Sequence, residues 1–508
     1  MDAALQSVID SAWTIAPELV MVGVATLLVL LGSYLPMGTA SERHAAGRLC
    51  VTISALALGV PLVWLLGWGS PGPAVTLPSA AFIHDPLARI IQPASLIAGL
   101  VLLVLIRQRL NEKYPAEHLA CLIFIIAGLN LVASANDLIS LFVSLELVSI
   151  PTYILLYLSR PDAKAMEATI KYFLLSVFSS AFLLYGMSFL MGTGGSTNLE
   201  VLRESLRQPT GMVSVGMLQV ALVLVVAGLG FRIASVPFHF YAPDVFQGTT
   251  MPAAALLAVV PKIAGFVALL RLVWSVLLTT QLHDSFLSLG TYGGAVLAGL
   301  ALLTMTVGNV LALLQTSIRR LLAYSSVAHA GYMLVGLAVR DPNLQPNGEQ
   351  AVLFYLLVYS IMTLGAFGVL LMVRKQDRSI DAVSDVDGLG VTHPFAAMLL
   401  AVFMFGLTGL PPTAGFWGKF GLFFVAWQSG SLTMKLLAVC LALNAAIAAW
   451  YYLRLVKYAF LNAPASEVST VPGRQAPALY GAMGLCAIAV LALFFFPNVL
   501  WSLLSGLG

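Results

Sequence analysis

Fourteen runs of mainly apolar residues, each about twenty residues or longer, follow one another along the chain, and no other feature narrows the possible folds as much. They occupy 14–36, 47–68, 85–107, 116–135, 137–159, 165–192, 212–239, 251–279, 287–313, 318–340, 349–374, 394–429, 433–460 and 476–504. Twenty residues of helix rise about 30 Å, the thickness of a bilayer's hydrocarbon core. Inside lipid every backbone N–H and C=O needs an internal partner, so runs of this length fold as helices. Of the 508 residues, 60% are hydrophobic and only 9% charged, more apolar surface than a water-soluble fold can hide. The expected class is an all-α polytopic membrane protein with about 14 transmembrane helices.

Two of the runs are interrupted. Gly228–Lys262, GLGFRIASVPFHFYAPDVFQGTTMPAAALLAVVPK, carries Arg232, Pro237 and His239 at the end of the seventh run. It then passes a polar turn, Asp244–Thr250, before re-entering as the eighth run with Lys262 near its middle. The twelfth run is overlong and holds GLTGLPPTAGFWGK. Proline removes a donor and glycine loosens the ladder, so broken helices are expected at 7 and 12. The two segments share glycines, proline, phenylalanine and one cation, and they lie five helices apart. Five is odd, so they cross in opposite senses, the pattern of two inverted five-helix repeats. The organisation that follows is a three-helix membrane segment at 1–115, repeats at 116–279 and 287–460, and a last helix at 476–508.

Charge sets the orientation. A net charge of +3 is too small to point to a nucleic-acid partner. Fourteen lysines and arginines fall in or beside the odd-numbered connections; Arg203, Arg207, Arg340 and Lys435 alone fall on the other side. By the positive-inside rule, the odd connections are cytoplasmic and both termini face away from the cytoplasm. The segment MDAALQSVIDSAW lacks a basic leader, so the first run reads as a retained helix.

The remaining seven of the 25 cations lie within the runs and away from the connections. A cation at the bilayer centre costs roughly 3 kcal/mol on insertion scales. Arg89, Arg271 and Arg454 lie nearer helix ends and read as structural. Lys171, Arg232, Lys262 and Lys419 are the functional candidates, with Glu146 as the acid of the fifth run. His239 and His329 also fall within runs; each has a second reading as a hydrogen-bonded core residue. Ser325, Ser326, Tyr324 and Tyr332 surround the latter in sequence. Lysine and histidine exchange protons in proteins, whereas arginine stays charged. Strung at mid-depth, such groups suit proton movement through a polar path.

The four cysteines stand singly, with no metal-ligand spacing and no glycine-rich nucleotide loop, so no cofactor is expected in this chain. At this point the residues resemble a known family, the antiporter-like membrane subunits of respiratory complex I. The likeness is carried by SLELVSIPTYILL, EATIKYFLLSVFSSAFLLYGMSFLMGTGGS, FRIASVPFHFYAPDVFQGTTMPAAALLAVVPKIAGF, RRLLAYSSVAHAGYMLVGLAV and GLTGLPPTAGFWGKFGLF, spread over about 137–425. The resemblance implies a proton relay in which Glu146 interacts with Lys171, Lys262 is central and Lys419 lies on the exit side. His239 and His329 match polar positions of that relay. Arg232 departs from the pattern, which has lysine there, and arginine is a poor proton carrier. The family context implies a non-redox subunit of a proton-translocating NADH:quinone oxidoreductase in a bacterial inner membrane. Its partners would be the other membrane subunits, the lipid bilayer and, indirectly, the quinone pool. Quinone, FMN and iron–sulfur clusters are expected only in the whole complex. The alternatives are a subunit of a cation/proton antiporter and one of a membrane-bound energy-converting hydrogenase.

Overall fold

The computed structural model describes residues 13–35, 38–67, 80–107, 114–159, 162–207, 215–277, 289–339, 341, 344–375, 378–464, 468–470 and 476–506. Arg340 and, among the fourteen cations of the odd-numbered connections, Arg109, Lys113, Arg160 and Arg474 lie outside the described residues. So does the expected boundary between two repeats, at 280–286.

Each of the fourteen apolar runs is helical. Twelve helices are long and apolar enough to cross a membrane, and Ala16–Gly32 and Pro394–Thr408 are shorter apolar helices. The first six spans are Ala16–Gly32, Ala40–Gly67, Pro86–Arg107, Pro115–Ser134, Leu138–Ser159 and Ala163–Gly194. The seventh is Val215–Arg232; the eighth is Met251–Leu269, continuing as a π-helical stretch over Leu270–Leu277. Leu289–Leu313, Ile318–Ala338 and Gly348–Met372 follow, then the twelfth span in two halves, Pro394–Thr408 and Ala414–Gln428. Leu432–Leu461 and Ala476–Phe495, extended by Pro497–Leu504, complete the set.

Both expected breaks are present. The seventh span stops at Arg232, and Ala234 follows in the left-handed region at φ 57°, where an L side chain costs roughly 1–2 kcal/mol. The twelfth stops at Gly409, at φ 87°, ahead of a Pro411–Pro412 step. One expectation is corrected. The polar turn at Asp244–Thr250 is instead largely a helix, Tyr241–Gly248, with Asp244 in its first turn, where a carboxylate suits the positive helix end. A three-stranded antiparallel sheet, unanticipated, is formed by β1 (Val373–Lys375), β2 (Arg378–Ser379) and β3 (Val468–Thr470), with β1 in the middle.

The chain divides into two compact units. One comprises Met1–Pro161, Thr169–Ile233 and Val260–Gly293; the other Asp162–Ala168, Ala234–Val259 and Gly294–Gly508. Lipid offers no hydrophobic drive for helices to associate, so close packing and polar contacts hold each unit together. In the first, a Cβ on Gly265 would come within 2.6 Å of Ile233, so glycine lets the eighth span approach the end of the seventh. Arg271, in the π-helical stretch, is buried and bonds Asp85 at 2.9 Å and the Ala133 carbonyl. In the second unit a polar cluster ties three connections together. Asp381 accepts from Ser317 and Arg319 at 2.8 and 3.0 Å, and Arg320 reaches Asp244 at 2.7 Å.

Candidate functional site

Four of the candidates meet at or beside the two helix breaks: Glu146 with Arg232, and His329 with Lys419 through Tyr332. In the first unit, Glu146 stands in the middle of the fifth span and its Oε1 accepts from Arg232 Nη2 at 2.8 Å. The same oxygen accepts from the Ser180 hydroxyl at 2.6 Å. Arg232 is the last residue of the seventh span, so no further turn of helix shields it, and its guanidinium spreads across the fifth. Its Nη1 donates to the Leu145 carbonyl at 3.1 Å and to the Ser149 hydroxyl. Arg232 is buried, while the Glu146 side chain keeps 23% exposure. Five fixed donors suit arginine to several oxygens at once.

Lys171 is half-buried on the sixth span, nine residues before Ser180. Nine residues of helix are about 13 Å of rise, so Glu146 is anchored well along the helix from that lysine's backbone. Lys262 is buried in the eighth span directly after Pro261. His239 sits in the second unit, on a short 3₁₀ turn at Phe238–Phe240, half-buried, its Nδ1 enclosed without a partner.

The second unit brings His329 and Lys419 into one cluster. The first half of the twelfth span ends at Thr408, leaving carbonyls without helical partners. Lys419, in the second half, points back and donates to the carbonyls of Leu407 and Thr408, both at 2.9 Å. Its Nζ lies 4.9 Å from the centre of the Tyr332 ring. Gly409 permits this: beyond its positive φ, a Cβ there would meet Lys419 Cδ at 2.9 Å. Lys419 is buried, and among the described residues no carboxylate reaches it.

His329, fully buried on the tenth span, meets a hydroxyl on each nitrogen: Tyr355 at Nδ1, 2.5 Å, and Tyr452 at Nε2, 2.9 Å. One ring nitrogen of a neutral imidazole donates and the other accepts, so one tyrosine gives a proton to the ring while the other receives one. Tyr452 continues to Ser325. The Tyr332 ring stands edge-on to His329 at 5.6 Å, and its hydroxyl accepts from Asn309 at 2.8 Å. Tyr332 therefore touches both His329 and Lys419. Ser325 and Tyr332 lie near His329 in sequence, but Tyr355 and Tyr452 come from other spans, where no local pattern marks them.

A chemistry follows from these contacts. Two tyrosine hydroxyls and that of Ser325 give His329 a path of exchangeable protons, while Lys419 is a base set on the negative end of a half-helix. Arg232 and Glu146 form a buried ion pair whose cationic member stays charged. The four cysteines are free and stand on four different spans.

Comparison with known proteins agrees with this architecture. Residues 135–444 match the family model described as NADH:quinone oxidoreductase/Mrp antiporter, TM. NADH-quinone oxidoreductase subunit N of an Anaeromyxobacter species is 38% identical over 485 residues, covering 91% of each chain. Subunit N of Paramagnetospirillum magneticum is 33% identical over 493 residues, covering 95% of this chain and 94% of that one. A chain of respiratory complex I from Thermus thermophilus, solved with bound aureothin, superposes with a TM-score of 0.78 at 30% identity. That superposition covers 97% of this chain and all of the other.

Proposed function

The chain belongs to the subunit N family of NADH-quinone oxidoreductase, and from that premise we propose that it carries protons through its buried lysine, histidine and glutamate side chains, driven by quinone reduction elsewhere in the complex. Its partners are other membrane subunits of that complex. We place it in a bacterial inner membrane with both termini on the non-cytoplasmic side, supported by the charge asymmetry of the connections.

The observation that carries the reading is the seat of Lys419. Its ammonium is buried with two carbonyls and one aromatic face for company. Hydrogen bonds to a charged group contribute about 1.5–3 kcal/mol each, and a desolvated cation–π contact about 2. Together these contribute about 5–8 kcal/mol, against roughly 3 kcal/mol on insertion scales for a cation in the membrane interior, so neutral groups alone hold the charge and nothing of opposite sign opposes its discharge. A carboxylate partner would have fixed the charge.

Roles then divide by chemistry. Lys262, Lys419 and His329 exchange protons, with Tyr355 and Tyr452 passing them to and from the imidazole. Lys171 and Glu146 belong to the same path in the first unit. Arg232 keeps its proton and sets the field at Glu146, and His239 is the titrating group of the seventh-span break. FMN, iron–sulfur clusters and quinone act in other subunits; none of the steps assigned here passes through them.

The test uses the whole complex in proteoliposomes, with NADH oxidation and interior acidification followed together. Lys262→Ala is expected to assemble yet lose most of its acidification per NADH oxidised. Full acidification from an assembled Lys262→Ala complex would remove that lysine from the path. Cation exchange by the isolated chain, without the other complex I subunits, would favour the antiporter alternative instead.

A further inference from the structure

We propose that Glu18 is a proton-binding site in its own right, a carboxylic acid held un-ionised against the amide of Gln92 and opening on a cleft the size of one water. It lies in the first span, apart from every residue assigned above, and does not depend on those assignments.

Glu18 is 1% exposed and Gln92, on the third span, 2%. Gln92 Nε2 donates to Glu18 Oε1 at 3.1 Å. The other oxygen of each group, Glu18 Oε2 and Gln92 Oε1, is buried without a partner. On a carboxylate both are acceptors; Asn130 Nδ2, which faces Glu18 from the fourth span and is also without a partner, can serve Oε2, but Gln92 Oε1 still lacks a donor. A proton on Oε2 supplies one: the acid donates to the Gln92 oxygen while Gln92 donates to Oε1, and the carboxyl and carboxamide close on each other. Buried polar atoms are paired in folded proteins, so the protonated form is the one this geometry suits.

Among the described residues no ion pair reaches Glu18 to favour the anion. His84 lines the same cleft; burial and then the charge of Arg89 hold its imidazole below the usual range against the pull of Asp85, leaving it neutral. Arg89 itself is exposed, and Asp85 is taken by Arg271. On the fourth span, which packs on the first, Glu117, His118 and Cys121 lie by the opposite end, near Gly32. On the second span, Arg43, His44, Arg48 and Cys50 are also remote: Arg48 precedes Trp64 of the cleft by sixteen residues, about 24 Å of rise. The first-turn position of Glu18 favours charge slightly, but burial without a counterion disfavours it more. Two oxygens are too few to replace the hydration shell of a metal ion and sufficient for one O–H. The cleft, lined by Trp13, Trp64, Leu65 and His84, measures about 10 Å³, which admits a single water to carry the proton in and out.

Dicyclohexylcarbodiimide distinguishes the forms. A protonated carboxyl adds across its C=N bond, the proton passing to nitrogen, and the adduct rearranges without losing a group, so the peptide gains the whole reagent. The intact complex is treated across a pH series in sodium or potassium buffer, and the Glu18 peptide is weighed. Labelling at neutral pH that falls in alkaline buffer, is indifferent to sodium and vanishes in Glu18→Gln supports the proposal. Wild-type labelling and its pH course decide the matter even where Glu18→Gln fails to assemble. No label on Glu18 at any pH overturns it, as does protection by sodium, which would make the site one for a metal cation.

Discussion

Two helix breaks in this chain each end against a buried cation, and they neutralise it differently. At the seventh-span break, Arg232 is matched by a carboxylate, a hydroxyl and a carbonyl, and Glu146 compensates its charge. At the twelfth, Lys419 is matched by two carbonyls and a ring, none of them charged. The first arrangement stabilises a permanent ion pair; the second leaves a base whose charge nothing fixes. Side-chain choice follows the same line, since arginine cannot release its proton and lysine can.

Lys419→Arg attacks the contrast most directly. It keeps a cation at the twelfth break but removes the ability to discharge it, and acidification per NADH should fall at least about tenfold, some 1.4 kcal/mol on a barrier. Retention of pumping in the assembled variant would mean that a permanent charge suffices there. Glu146→Gln comes next. It leaves Arg232 buried without its counter-charge, which costs roughly 3–5 kcal/mol in a fully buried pair. Because Glu146 is 23% exposed, the lower end, about 3 kcal/mol, is expected as a drop in the complex's thermal midpoint together with slower turnover. An unchanged midpoint would show that water already screens the pair.

Arg232→Lys sharpens the comparison from the other side. One ammonium cannot hold the Glu146, Ser149 and Leu145 oxygens together as the guanidinium does, so about 1 kcal/mol of stability should go while pumping stays within about twofold. A severe pumping loss would make the arginine's permanent charge part of the mechanism.

The pair of buried Arg319 and partly exposed Asp381 supplies the smallest effect. Burial pushes the Asp381 carboxyl up, but Arg319 and the donors Ser317 and Gln247 outweigh it and hold the group below its ordinary value of 3.8. A depressed folded value means stability present above the unfolded pKa and lost as pH falls through the folded one. Asp381→Asn should therefore lower the thermal midpoint at neutral pH by an amount worth about 0.5 kcal/mol, discounted for solvent screening, with the difference closing in strong acid. A difference that persists in acid would assign the stabilisation to hydrogen bonding rather than charge.

Much of this was legible in the sequence because the bilayer enforces a single length scale. All fourteen apolar runs are helices, and proline and glycine placed both interruptions correctly. Residue choice at depth also singled out Glu146, Arg232 and Lys419 as candidates, and the structure places each beside a helix break. Their partners were not legible. The Glu146–Arg232 pair joins residues 86 apart, and Tyr452 reaches His329 from 123 residues away, distances over which no local periodicity reports. Glu18 went unweighed beside the cations, although an acid inside an apolar run carried a comparable signal. The helix at Tyr241–Gly248 was hidden by its polar letters, of which Asp244 and Gln247 here anchor a short helix to Arg320 instead of opening a loop.

The gap at Gly409 makes one object of two things that elsewhere vary separately. A severed helix in lipid has dangling oxygens that demand an occupant, and here the occupant is tethered ten residues further along the same strand of chain. Mending the cut would evict the amine into grease, and deleting the amine would leave the cut raw, so the defect and its tenant can only change together.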